Sequence, residues 1–186
     1  MQVIGLCGPE GAGKSTVAKL LAKEGFVIVP FAKPLKDMLR AIGVPESCLT
    51  GTPEQKASPL ELFGGKSARH AMQTLGTEWG RACIAPDFWA RAWTHHARDV
   101  SWIADAGIVA DDVRFPQEVE AIRKMGGRII CIVRSMEDFK RVPKHPSEDF
   151  AALKADYVIE NCGPLSELNA AVAKILSHTS ASEAAE

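Results

Sequence analysis

The segment Gly8-Pro9-Glu10-Gly11-Ala12-Gly13-Lys14-Ser15 fits the spacing G-x-x-x-x-G-K-S/T, and its setting constrains the fold more than its letters do. It follows the apolar run Val3-Ile4-Gly5-Leu6-Cys7 and precedes a stretch with helical periodicity. A strand that ends in a glycine-rich turn and re-enters as a helix aims backbone N–H groups at one point, with the helix's positive end behind them. This is an anion site, and its residue types select phosphate. Gly8, Gly11, Ala12, Gly13, Lys14, Ser15 and Thr16 are expected to surround a nucleotide's phosphates. Lys14 would reach the β- and γ-phosphates, and the Ser15 hydroxyl would ligate magnesium.

Beyond the loop, strand-like and helix-like segments alternate, which predicts an α/β fold with a mostly parallel sheet. The first helix places Val17, Leu20 and Leu21 on one face and runs to about Lys23. Phe26 to Val29 reads as a strand. Pro34 opens a helix carrying Leu35, Met38, Leu39 and Ile42, closed by Gly43. From Val44 to Lys66, three prolines and the pair Gly64-Gly65 break the periodicity, so residues 44–66 read as a mobile insertion with a short helical piece. Helical pattern resumes from Ala68 to Leu75. Asp87 then caps a helix with Trp89, Ala92, Trp93 and His96 on one face. Further strands are expected at Ile108–Ala110, Arg128–Val133 and Tyr157–Ile159, with helices after Pro116 and over Leu165–Leu176. Residues 1–176 read as one domain, and 177–186 as a frayed tail rich in Ser, Ala and Glu.

Composition excludes several classes. The net charge is −1, with no basic excess to attract nucleic acid or an anionic membrane. No apolar run approaches the roughly 20 residues that span a bilayer, and the chain enters a strand at once, without the pattern of a signal peptide. The five cysteines are scattered, without a C-x-x-C pair, against both a metal cluster and a disulfide framework. Cys7 and Cys131 fall inside strand patterns and read as small core hydrophobes. A reducing cytoplasm is the expected setting.

A phosphate loop alone does not separate a kinase from a GTPase or a passive binder, so the remaining polar constellations must decide. Phosphoryl transfer needs cations, magnesium and an aligned acceptor. Arg134, Lys140, Arg141, Lys144 and His145 follow a strand closely and fit a basic lid over residues 134–148, with a solvated basic loop as the alternative. Asp111 and Asp112 end a strand, where ligands bind in open α/β sheets. There Asp111 or Asp112 would orient magnesium-bound water or the attacking acceptor phosphate, or these acids simply cap the next helix. Arg114 stands ready for an anionic substrate. Arg69 and Arg81 flank Leu75 to Gly80 and suit a monophosphate acceptor, because guanidinium binds phosphate bidentately. Trp79 and Trp89 offer stacking surfaces, although Trp89 and Trp93 sit at core spacing. His95-His96 does not make a metal pair, since adjacent helical residues diverge.

Taken in order, these segments resemble the phage-type deoxynucleoside monophosphate kinases. The matching residues are Gly8–Ser15, Phe31–Lys36, Gln73–Arg81, Phe88-Trp89, Asp112–Glu118 and His145–Glu148, spread over about residues 3 to 176. The resemblance implies a P-loop NTPase fold with helices on both faces of a parallel sheet. It implies transfer of the ATP γ-phosphoryl group to a deoxynucleoside monophosphate with Mg2+. By position, Lys14, Arg81, Arg134 and Arg141 become the catalytic cations, and Lys33, Arg69, Trp79, Arg81, Asp112 and Arg114 the acceptor-site residues. Lys33 stands where relatives often carry a small or acidic residue, which bears on base preference. Expected partners are small molecules, in the cytoplasm of a cell or of a viral host; a homodimer stays open. The rivals are a dephospho-coenzyme A kinase and a non-catalytic nucleotide-binding module.

Overall fold

A computed structural model describes residues 2–137 and 150–183. In chain order its elements begin with β1 (Val3–Cys7), α1 (Lys14–Lys23), β2 (Phe26–Ile28), α2 (Lys33–Ala41), α3 (Glu46–Thr50) and α4 (Pro53–Ala57). A 3₁₀ turn (Glu61–Phe63), α5 (Ala68–Thr74), a π-helix (Leu75–Ile84) and α6 (Phe88–Ala104) follow. The remainder is β3 (Gly107–Ala110), α7 (Pro116–Lys124), β4 (Arg128–Val133), β5 (Tyr157–Glu160) and a final helix, Leu165–Glu183.

Contacts divide the chain into two compact units, Met1–Pro30 with Thr94–Glu186, and Phe31–Trp93. The first holds a five-stranded sheet in the order β2-β3-β1-β4-β5, and every pairing in it is parallel. β1 and β4 are buried almost end to end, as strands covered on both faces must be. Alternation along β1 assigns the two faces. Ile4 and Leu6 pack with Val17 and Leu21 of α1 and with Leu168 and Val172 of the final helix. Gly5 points the other way, toward Ile122 of α7, Ile129 and Val113. Cys7 and Cys131 are partners in the β1–β4 register and wholly buried, in keeping with their reading as core residues. The hydrogen bond to Cys131, together with burial, pushes the Cys7 thiol well up, so it stays neutral.

The second unit is helical. Leu35 and Leu39 of α2, Val44, Cys48 and Leu49 of α3, Ala68 and Trp89 form its core. Met38 and Ile42, grouped with that face by periodicity, are 40% and 55% exposed; the buried stripe is narrower than the sequence pattern. The segment expected to be mostly loop is built from α3, α4 and the 3₁₀ turn. Two of its three prolines start helices rather than break them, Pro45 preceding α3 and Pro53 opening α4, while Pro59 lies in an isolated bridge with Ser67. Thr52 and Gln55 cap the start of α4 with a reciprocal capping box. The α6 core face is Trp89, Ala90, Trp93 and Ala97; Ala92 and His96 are only partly buried. Phe31 stacks on Trp93 with ring centroids 4.3 Å apart. The final helix runs past Leu176, its expected end.

Candidate active site

Because all five strands run parallel, their carboxyl ends share one edge, and the candidate residues of the first unit emerge there. β1 feeds the loop from Gly8, β3 leads into Asp111-Asp112, β4 into Arg134, and β5 into Asn161.

The loop is shaped by positive φ at Gly8 (131°), Gly11 (78°) and Gly13 (109°). At Gly8 a side chain has no room either, because its Cβ would strike the Ile132 carbonyl oxygen. Lys14 folds back so that its Nζ donates to Gly8 O and Pro9 O, each at 2.7 Å. The loop is thereby curled around its own ammonium group, which keeps a third N–H for another acceptor. Burial lowers the Lys14 pKa first, and the positive charge of Arg114 lowers it further; Asp111 and Glu10 act in the opposite direction.

Helix α1 opens with Gly13 as its cap, without a side-chain hydrogen bond and without an acid in its first turn. Thr16 N–H and Val17 N–H both donate to Gly13 O. Among the described residues, the N–H groups of Gly13, Lys14 and Ser15 have no acceptor. A helix start with unmet donors, no acidic neighbour in its first turn and a lysine alongside fits an anion with several oxygens. The Ser15 and Thr16 side chains are exposed at the same place. The donor chemistry also suits Mg2+, which takes few protein oxygens and completes its shell from phosphate and water. No group of three or more His, Cys, Asp or Glu side chains suited to holding a softer metal occurs among the described residues.

Two residues absent from the sequence-based site support this edge. Glu118 is buried, and its Oε2 accepts from the N–H of Arg114 at 2.7 Å and of Phe115 at 3.1 Å. It therefore sets the turn that carries Arg114; its place just inside a Pro-initiated helix was the available signal. Asn161 donates through Nδ2 to Ala12 O at 2.8 Å. Its only sequence signal is a polar residue directly after a strand.

Arg134, expected in a lid, lies against the loop. Its Nη1 donates to Asn161 O at 2.7 Å, and its Nε and Nη2 to Gly11 O at 3.3 and 3.2 Å. Arg141, with residues 138–148 of the expected lid and the His145–Glu148 segment, lies outside the described residues.

Lys33, Arg69, Trp79 and Arg81 all belong to the second unit. Lys33 is tied to Asp37 at 2.6 Å, and Arg69 is exposed. Arg81 and Trp79 stand on the π-helix, which follows α5 directly. π-helices are rare, usually a single turn, and concentrate at functional sites. Here Trp89 Nε1 donates to Gly76 O at 2.8 Å in a buried position, and Arg81 Nη1 reaches the same oxygen at 3.1 Å. Gly80 lies so close to the Trp89 indole nitrogen that a Cβ would collide with it. Trp89 is thus committed to packing. Trp79, 38% exposed, meets Phe88 edge-on at 5.6 Å and keeps surface for a ligand.

An all-parallel sheet flanked by helices, with a glycine-rich turn and basic groups at its carboxyl edge, is an α/β architecture consistent with a nucleotide kinase. The family model described as deoxynucleotide monophosphate kinase matches residues 61–172, and the chain belongs to that family. No curated protein matches the chain.

Proposed function

We propose that this protein transfers the γ-phosphoryl group of ATP to a deoxynucleoside 5′-monophosphate, giving the diphosphate and ADP. The observation that carries the reading is the uncapped start of α1 with Lys14 folded into the loop, in a member of this kinase family. The N–H groups of Gly13, Lys14 and Ser15 would bind phosphate oxygens, and the Lys14 ammonium would meet the charge that grows on the transferring group. Ser15 would hold Mg2+, with Asp112 acting through water; the ion supplies charge neutralisation on the phosphates. Arg69 and Arg81 would grip the acceptor phosphate, and Arg114 and Lys33 would add positive charge for it. Trp79 would stack on the base. Arg134 and Arg141 would stabilise the transferring group.

An oxygen of the acceptor phosphate forms the new bond to the γ-phosphorus as the bond to the β,γ-bridging oxygen breaks, and ADP leaves with that electron pair. The attacking oxygen is already anionic near neutral pH, so no general base is needed. Lys14→Ala tests the loop's role. ADP formation should fall on the order of 10²-fold or more, the scale lost when one preorganised donor leaves a transition state, in protein that a melting curve shows to be folded at the assay temperature. Near-normal turnover in that variant would remove the loop from the reaction.

A further inference from the structure

Two successive carbonyls of the phosphate loop are held from outside the loop. Gly11 O accepts from the Arg134 guanidinium, and Ala12 O accepts from the Asn161 side-chain amide. Both holders are anchored at strand ends. Asn161 donates its main-chain N–H to Val133 O at 2.7 Å, and its carbonyl receives Arg134.

Peptide geometry gives this clasp a consequence. The described peptide bonds are trans, so each carbonyl points opposite to the N–H of the following residue. Fixing Ala12 O therefore fixes the direction of Gly13 N–H, on the side away from Asn161. The Ala12–Gly13 peptide unit needs such a restraint, because Gly13 at φ 109° has the freedom to let it turn. Asn161 also packs against Gly13 so closely that a Cβ there would strike Nδ2. The Gly13 N–H is one of the donors without an acceptor at the start of α1.

We infer that Asn161 is a positioning residue for the phosphate loop. It holds the Ala12–Gly13 peptide unit so that the Gly13 N–H faces a phosphate oxygen of the bound polyphosphate, and it links that orientation to Arg134. The inference rests on the kinase reading and adds a residue 149 positions along the chain from the carbonyl it holds.

The test is calorimetric titration of the full chain with Mg-ATP and, separately, with Mg-tripolyphosphate, which carries the phosphates without base or sugar. Asn161→Ala removes the donor and the contact, while Asn161→Asp keeps the shape without the N–H. Both should bind the two ligands more weakly by a similar factor, roughly tenfold for one lost hydrogen bond, at a temperature well below melting. Equal tripolyphosphate affinity in wild type and variants would overturn the inference. So would a loss confined to ATP, because it would place Asn161 against the nucleoside. A wild type that binds neither ligand would overturn the kinase reading along with it. A second readout does not depend on the variants folding: the Gly13 amide resonance of wild type should shift downfield with tripolyphosphate, and an unmoved resonance would contradict the proposal.

Discussion

Gly80 and Trp89 show how much a single missing methyl group decides. The buried indole N–H of Trp89 satisfies Gly76 O, and it reaches that oxygen only because Gly80 has no side chain. Gly80→Ala should displace the indole, overpack the helical core and leave a buried carbonyl without its donor. A loss of about 1–3 kcal/mol is expected from overpacking of this kind. Urea unfolding measures it, and an unchanged midpoint would mean that the π-helix absorbs the methyl. At the same scale, the turn from Gly8 to Lys14 was legible in its glycine spacing, and Gly8, Gly11 and Gly13 all take positive φ there. Asn161 was not, since neither its type nor its spacing says which backbone group it will hold, and Glu118 was only in part, because its place three residues after Phe115 points to that N–H but not to the N–H of Arg114.

Among the elements, the strands of the sheet were plain in the sequence, because strands buried on both faces appear as continuous apolar runs. Segment 44–66 holds more helix than its pattern suggests for a physical reason: proline both breaks helices and starts them, and Pro45 and Pro53 do the second. The π-helix was not legible either. Its ten residues carry no propensity that separates π from α, and its stability rests on tertiary contacts at Gly76 and Gly80. Between α2 and α3, Arg40 pairs with Glu46 through Nε at 2.6 Å and Nη2 at 2.8 Å, and also meets Asp37. The hydrogen bonds from Arg40 lower the Glu46 pKa from 4.5 to about 2. A depressed carboxylate pKa stabilises the fold above the unfolded value and loses that contribution as pH falls toward the folded one. The pair is exposed, so the effect is small. Glu46→Gln should lower the melting temperature slightly at pH 6, and the gap from wild type should close as pH falls from about 4.5 toward 2. A gap equally wide at pH 6 and pH 2.5 would rule out the ion pair as its source.

For the molecule as a whole, the alternation of elements announced an α/β fold, but strand order was beyond its reach. Placing β1 between β3 and β4 depends on contacts far apart in sequence, and that order brings Asp111, Arg134 and Asn161 to the edge that carries the loop. The distribution of candidate residues over two units was likewise invisible. Lys14, Asp112, Arg114 and Arg134 belong to the first, and Lys33, Arg69, Trp79 and Arg81 to the second. Among the described residues no helix is long and apolar enough to cross a membrane. The family match and the loop meet in one claim, phosphoryl transfer from ATP to a deoxynucleoside monophosphate. The measurement that tests it most directly is a coupled ADP-release assay with Mg-ATP, offering dTMP, dGMP, dCMP, dAMP and dephospho-coenzyme A separately. The account predicts turnover with at least one deoxynucleotide and formation of its diphosphate. Turnover with dephospho-coenzyme A alone, or silence with all of them from protein that binds ATP, would contradict it.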